Sequence, residues 1–189
     1  MNNTTTTATT ATIEADPTLP IIHITRDFAA TPAQLFRAHT DPELFARWVG
    51  PDGTTTTIDR WDACTGGSWR FVGTHDGMEF GFHGCFHEVR PDRIVQTFTW
   101  EGEPDAVALE TLTFTDLGDD RTRLHAQSLC DSFEARDAWL RSGMEIGVDQ
   151  GYAKLDALLA DGEIHGDIHD DIDSQIAGDV AGSTQGAHA

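Results

Sequence analysis

Basic residues are scarce in this chain, and lysine is nearly absent, with Lys154 the single one. Only 12 Lys and Arg stand against 32 Asp and Glu in 189 residues, which gives a formal net charge of −20. A chain of this charge repels phosphate backbones and anionic lipid headgroups. We therefore expect neither nucleic acid nor a membrane surface among its partners.

Cysteines and long apolar runs are also few. Cys64, Cys85 and Cys130 form an odd set without CxxC spacing, which favours a reducing compartment. Residues 1–20 contain no Lys, no Arg and no apolar run, so they do not resemble a secretory signal, and no stretch is long enough to span a bilayer. We predict a cytoplasmic protein whose core needs neither a disulfide nor a metal.

The two ends of the chain differ from its middle in composition. Residues 1–17 are mostly Asn, Thr and Ala, which predicts a disordered leader. Residues 161–189 contain many acidic residues and no Lys or Arg, which predicts an acidic disordered tail. The folded domain is expected over residues 18–160.

The middle of the chain predicts an α+β fold. A strand over 21–28 is followed by two short helices, which begin after the capping residues Thr31 and Asp41. Six strand-like runs then extend to Leu129 with short turns between them, so parallel crossovers are excluded. Residues 132–159 change to a helical period. This order predicts one curved antiparallel sheet wrapped around a long C-terminal helix.

Several segments, in order along the chain, resemble a known family. They are DPELFARWVGP at 41–51, GGSWRF at 66–71, GCFHEVRPDRIV at 84–95, FTW at 98–100, GMEIG at 143–147 and LDALL at 155–159. Together they resemble the homologues of the activator of heat-shock-protein-90 ATPase, within the START-like SRPBCC superfamily. The resemblance implies a helix-grip (Bet v-like) fold, whose cavity between sheet and helix receives an apolar small molecule in many relatives. It implies no single reaction, because the superfamily includes carriers, receptors and cyclases.

The inward faces of the predicted strands combine aromatic and polar side chains. Gln96 lies between Ile94 and Phe98, and Glu110 lies two residues before Leu112, so both are predicted to point into the cavity and orient a ligand. The alternative for each polar residue is a contact with solvent or with an arginine such as Arg123. For most of the aromatic residues the alternative is plain core packing. The predicted ligand-binding residues are Trp48, Phe71, Phe80, Phe86, Gln96, Phe98, Trp100, Glu110, Phe114, Met144 and Val148.

Glycines and histidines need separate interpretation. Gly143, Gly147 and Gly151 recur every four residues on the last helix, which indicates either close helix-to-sheet contact or a cavity. His83 and His87 would lie about 13 Å apart on a strand, too far to share a metal ion. No metal site and no cofactor are predicted.

Three functional hypotheses remain. The first is a carrier, sensor or sequestering protein that binds an apolar or aromatic small molecule in the cavity. The second is a cyclase, dehydratase or hydrolase of a polyketide-like substrate, with Glu110 as its general acid or base. The third is a chaperone-interacting module. A homodimer also stays open as an assembly.

Overall fold

A computed structural model describes residues 10–165, and within them eight strands form one antiparallel sheet with four helices. The sheet order is β1-β2-β8-β7-β6-β5-β4-β3. The strands are β1 Thr12–Ala15, β2 Ile21–Phe28, β3 Thr55–Trp61, β4 Ser68–His75, β5 Met78–Arg90, β6 Arg93–Trp100, β7 Ala108–Gly118 and β8 Arg121–Leu129. The helices are α1 Pro32–Thr40, α2 Pro42–Trp48, α3 Phe133–Arg141 and α4 Met144–Ala160. The predicted α+β fold class is confirmed.

Local sequence explains why α1 and α2 are short and adjacent. The Thr31 side chain accepts a hydrogen bond from the Gln34 amide, and the Gln34 side chain caps the Thr31 amide in return. Asp41 then ends α1 and caps α2 by accepting from the amides of Glu43 and Leu44. One residue thus ends one helix and begins the next, which lays the pair across the sheet.

The predicted single C-terminal helix is wrong, because the structure divides it into α3 and α4. Gly143 lies between them with φ +84°, a left-handed conformation that L-residues with a side chain rarely adopt. Ser132 caps the start of α3 by accepting from the Ala135 amide. The helix that closes the interior therefore consists of two segments of different direction.

The structure extends beyond both predicted domain bounds, residues 18 and 160. Thr12–Ala15, placed in the leader by composition, pairs with β2 as the edge strand β1. At the other end Ile164 is 1% exposed, and its carbonyl accepts a hydrogen bond of 2.9 Å from Gln34. The rest of the predicted leader and tail, residues 1–9 and 166–189, lies outside the described residues.

The glycines of α4 face neither the sheet nor a void. A Cβ on Gly151 would lie 3.0 Å from the carbonyl oxygen of Trp48, and one on Gly147 would lie 3.7 Å from Pro51. Close contact is therefore what the structure shows at Gly151, but with the end of α2 rather than with the sheet. These glycines let α4 approach the end of α2 and the loop that follows it.

Candidate functional site

The helices cover one face of the sheet, here called the inner face, and that face carries a chain of stacked aromatic rings. Ring centroids are 5.6 Å apart for Trp69 and Phe71, 5.1 Å for Phe71 and Phe82, and 5.5 Å for Phe82 and Phe98. Trp139 of α3 stacks on Phe98 at 5.7 Å. These five residues are called the ring cluster below. Spacings of this kind stabilise aromatic pairs beyond the area that they bury.

The ring cluster is only partly shielded from solvent. Trp69 and Phe71 are buried, whereas Phe82, Phe98 and Trp139 keep an intermediate exposure although they pack against the core. No residue of α3 is buried. Solvent therefore reaches part of the ring cluster where α3 lies over the sheet.

A row of three polar side chains crosses the inner face beside the ring cluster. The register pairs Gln96 with Glu110 and Glu110 with Ser128, on three neighbouring strands. Gln96 Nε2 donates to Glu110 Oε2 at 3.0 Å, and Ser128 Oγ donates to Glu110 Oε1 at 3.0 Å. This set is called the polar row. By this register Gln96 and Glu110 lie on the same face of the sheet.

The environment of Glu110 makes its charge costly. Burial raises the pKa of Glu110 above its ordinary value, while the hydrogen bonds from Gln96 and Ser128 act in the opposite direction. Burial also raises the pKa of Tyr152 on α4, and the negative charge of Glu110 adds to that effect. Arg123, named from the sequence as an alternative partner, instead binds Asp27 on the other face, at 2.7 Å.

A buried arginine, Arg26, lies near the ring of Tyr152. It was not identified as a site residue from the sequence. Arg26 is 5% exposed, and its Nη2 donates to Asp156 of α4. Its guanidinium lies 4.7 Å from the centroid of Phe28 and 5.5 Å from that of Tyr152, while Nε and Nη1 have no hydrogen-bond partner. The alternation Ile22, Ile24, Arg26, Phe28 in β2 was the available signal, since all four are buried.

Other predicted ligand-binding residues lie deeper or further along the interior. Trp48 is buried and donates from Nε1 to the Ala38 carbonyl at 2.9 Å. Phe114 is buried under α1, with its ring 5.3 Å from that of His39. Phe86 is buried with its ring 6.1 Å from that of Trp61. Met144 and Val148 of α4 are partly buried against the core.

Trp100, predicted to line the interior, is opposite Phe82 in the register but lies at the exposed end of that face. Trp100 is 40% exposed, because it is the last residue of β6 and its ring turns over Gly102 in the following loop. Phe80, also predicted to line the interior, lies with Trp100 at a surface cleft of about 370 Å³. The other residues that line this cleft are Arg70, Val72, Glu79, Gly81, Glu101 and Gly102.

Two further observations bear on ligands and location. Within residues 10–165, no group of three or more His, Cys, Asp and Glu side chains is placed to hold a metal ion together. Among those residues, no helix has both the length and the apolar character needed to cross a bilayer.

Solved structures of similar fold come from several bacteria. A protein from Rhodobacter sphaeroides is 29% identical, with a TM-score of 0.71 over 79% of this chain and 97% of its own. A protein from Mycobacterium smegmatis is 25% identical, with a TM-score of 0.71 over 79% of this chain and 96% of its own. One from Arthrobacter aurescens, at 23% identity, shares the fold with a TM-score of 0.74 over 86% of this chain and 98% of its own.

No curated protein matches the chain in sequence. The family model described as "Activator of Hsp90 ATPase homolog 1-like protein" matches residues 29–160, which include the ring cluster, the polar row and α4. That match covers well over half of the chain, and the solved structures have the same sheet-and-helix architecture. The chain therefore belongs to the family of proteins that resemble homolog 1 of the activator of Hsp90 ATPase.

Proposed function

We propose that the chain binds a small molecule with an apolar or aromatic body between the inner face of the sheet and α3 and α4. In this role it is a cytoplasmic carrier, sensor or sequestering protein that needs no cofactor. The observation that carries the proposal is the partial exposure of Phe82, Phe98 and Trp139, three large rings that face the interior rather than the outside of the domain.

The energetics favour an occupant at this place. Each 100 Å² of apolar surface removed from water contributes about 2.5 kcal/mol. A planar ligand inserted against Phe98 and Trp139 would shield both rings and part of Phe82. The family supports the same proposal, since members of this fold commonly enclose apolar ligands.

Fluorescence titration with the neutral probe N-phenyl-1-naphthylamine tests the proposal. We expect saturable binding with an emission increase, and a loss of at least about tenfold in affinity for Phe98→Ala. Met78→Ala is the control, because Met78 is 58% exposed at the start of β5 and belongs to neither the ring cluster nor the polar row. Equal affinities in both variants, or a lack of saturable binding to the unmodified chain, would contradict the proposal.

A second candidate function is favoured by the state of Glu110. A carboxyl with a raised pKa that is oriented by two hydrogen bonds has the properties of a general acid or base. The corresponding activity is cyclisation, dehydration or hydrolysis of a polyketide-like substrate. With 2-naphthyl acetate as hydrolysis probe, Glu110→Gln should lower the rate by about 10²-fold or more, and Glu101→Gln should not. An unchanged rate in Glu110→Gln would eliminate Glu110 as catalyst.

A further inference from the structure

We propose that the ligand is an aromatic amine, held by its cationic group against the carboxylate of Glu110 and by its ring against the ring cluster. This inference rests on the proposed function and specifies the chemical class of its ligand. Its basis is the negative charge of Glu110, which no basic side chain balances in the described residues.

Glu110 is an acidic group without a basic partner. In the described part of the chain, every ion pair of an arginine involves another carboxylate, and the buried Arg26 binds Asp156. The two donors that reach Glu110, Gln96 Nε2 and Ser128 Oγ, are both neutral. Glu110 is half-buried, and a carboxylate withdrawn from water in this way is normally paired with a cation, because a charge without a partner is costly there.

The hydrogen bonds of Glu110 leave room for a donor from a ligand. An ionised carboxylate has about four lone-pair sites on its two oxygens. Ser128 occupies one site on Oε1 and Gln96 occupies one on Oε2. One site on each oxygen is free of any protein donor in the described residues, so the polar row holds the carboxylate in a fixed orientation with acceptors to spare.

The ring cluster lies at the distance that an aromatic amine spans. Phe98 is two residues from Gln96 on the same strand face, which separates their Cα atoms by about 6.6 Å. Phe86 is the cross-strand neighbour of Gln96 on the other side. Ring faces attract cations through the negative charge of their π-systems. The same wall therefore accepts the aromatic body and favours the positive charge.

Long-range electrostatics also favour a positively charged ligand. The net charge of −20 raises the local concentration of cations and lowers that of anions. An anionic ligand would also meet Glu110 at short distance in a medium of low dielectric constant. A neutral ligand would leave the charge of Glu110 unbalanced.

Three naphthalene probes of equal size test the inference: 2-naphthylmethylamine as the cation, 2-naphthalenemethanol as the neutral isostere and 2-naphthoate as the anion. We expect the amine to bind at least about tenfold more tightly than the alcohol at 0.15 M salt, since a charge-assisted hydrogen bond contributes about 1.5–3 kcal/mol. Glu110→Gln should abolish that preference, so that the amine and the alcohol bind to this variant with affinities within about twofold of each other. Glu101→Gln, which removes one carboxylate at the surface cleft, should keep it.

The outcomes separate this inference from the proposed function. If the alcohol or the naphthoate binds as tightly as the amine, the amine class is wrong while the binding function stands. If none of the three probes and no N-phenyl-1-naphthylamine binds, the binding function itself fails.

A pH series on the unmodified chain provides the test if Glu110→Gln does not fold. Protonation of Glu110 at acid pH should weaken the amine and leave the alcohol unchanged. Tyr152 and Cys130, the other titratable groups that face Glu110, have raised pKa values and stay neutral below pH 8. Asp156, whose pKa burial raises, also titrates at acid pH, so the series is repeated in Asp156→Asn, where the amine preference should persist. Affinity for the amine that is independent of pH in both proteins would overturn the inference.

Discussion

The inner face of one sheet is covered in two different ways. Under α1, here called the sealed region, the side chains of Leu35, His39, Phe114 and Leu124 are all buried. The ring cluster extends from the sheet to Trp139 of α3, and there three of five rings remain partly exposed and α3 buries no residue. The two regions of one sheet thus differ in solvent access: a sealed region cannot admit a ligand, and an open one contributes less to folding.

Polar groups differ between the two regions in the same way. In the sealed region the His39 ring nitrogen Nδ1 pairs with the Leu35 carbonyl at 2.7 Å, and Thr122 Oγ1 donates to the Ala30 carbonyl at 2.7 Å. In the ring cluster the indole nitrogen of Trp69 is buried without a hydrogen-bond partner. Most buried polar groups in protein cores have a hydrogen-bond partner, and an unpaired group is an exception. The paired polar groups of the sealed region are thus typical of a structural core.

The largest expected effect comes from removing one ring in each region. Phe114→Ala should lower the free energy of unfolding by about 3–5 kcal/mol, because the cavity left under α1 cannot collapse. Phe98→Ala should cost about 1–2 kcal/mol, since its ring is already partly hydrated and its loss opens the site further. Urea unfolding followed by circular dichroism measures both values.

The pair of values decides whether the two regions differ in energy as well as in exposure. A cost for Phe98→Ala equal to that for Phe114→Ala would mean that the ring cluster is a core like any other. The contrast would then lose its functional meaning, and the proposed binding with it.

A second prediction uses the pH dependence of the sealed region. Burial lowers the pKa of His39 to about 4, although its hydrogen bond to Leu35 acts the other way. The unfolded chain therefore binds more protons than the folded one between about pH 6.5 and 4, so stability falls as the pH is lowered through that range. A shift of this size corresponds to a full loss of about 3 kcal/mol.

The control is His39→Gln, which should be less stable at pH 7 and should lose most of that slope. Glu110 has the opposite sign, because its raised pKa means that protonation favours the folded state as the pH falls. Glu110→Gln should therefore steepen the acid loss slightly. Unfolding curves at pH 7, 5.5 and 4.5 provide the comparison, and a slope unchanged in His39→Gln would refute the assignment to His39.

The sequence predicted most of the sheet because alternation and turn residues are local signals. β2 was placed with the same bounds that the structure gives, and Asp76 with Gly77 marked the β4–β5 turn. The short strand β1 could not be predicted, since four residues carry too little alternation to reveal a pairing partner. The break at Gly143 was hidden, because the apolar period of α4 resembles the end of one long helix.

The site was predictable in part for the same reason. Parity put Gln96 and Glu110 on the inward face, but their hydrogen bonds to each other and to Ser128 depend on the register across three strands. The neighbouring pairing of β5 with β6 includes an irregularity in β5 between Phe86 and Glu88, which no local sequence pattern predicts. The alternation of side chains along a strand also fails to predict burial at strand ends, where Trp100 is exposed.

The smallest expected effect distinguishes two glycines of α4 that approach the end of α2 and the following loop at different distances. Gly147→Ala should stabilise the protein by up to about 1 kcal/mol, because alanine favours a helix and its Cβ would make only an ordinary contact with Pro51 at 3.7 Å. Gly151→Ala should give no such gain and instead a net loss, because the new Cβ would lie 3.0 Å from the backbone oxygen of Trp48. Thermal unfolding should show the two midpoints moving in opposite directions by about 2–4 °C. If Gly151→Ala were as stabilising as Gly147→Ala, α4 would have room to shift away from α2, and the tight contact between them would not fix the position of the helix over the site.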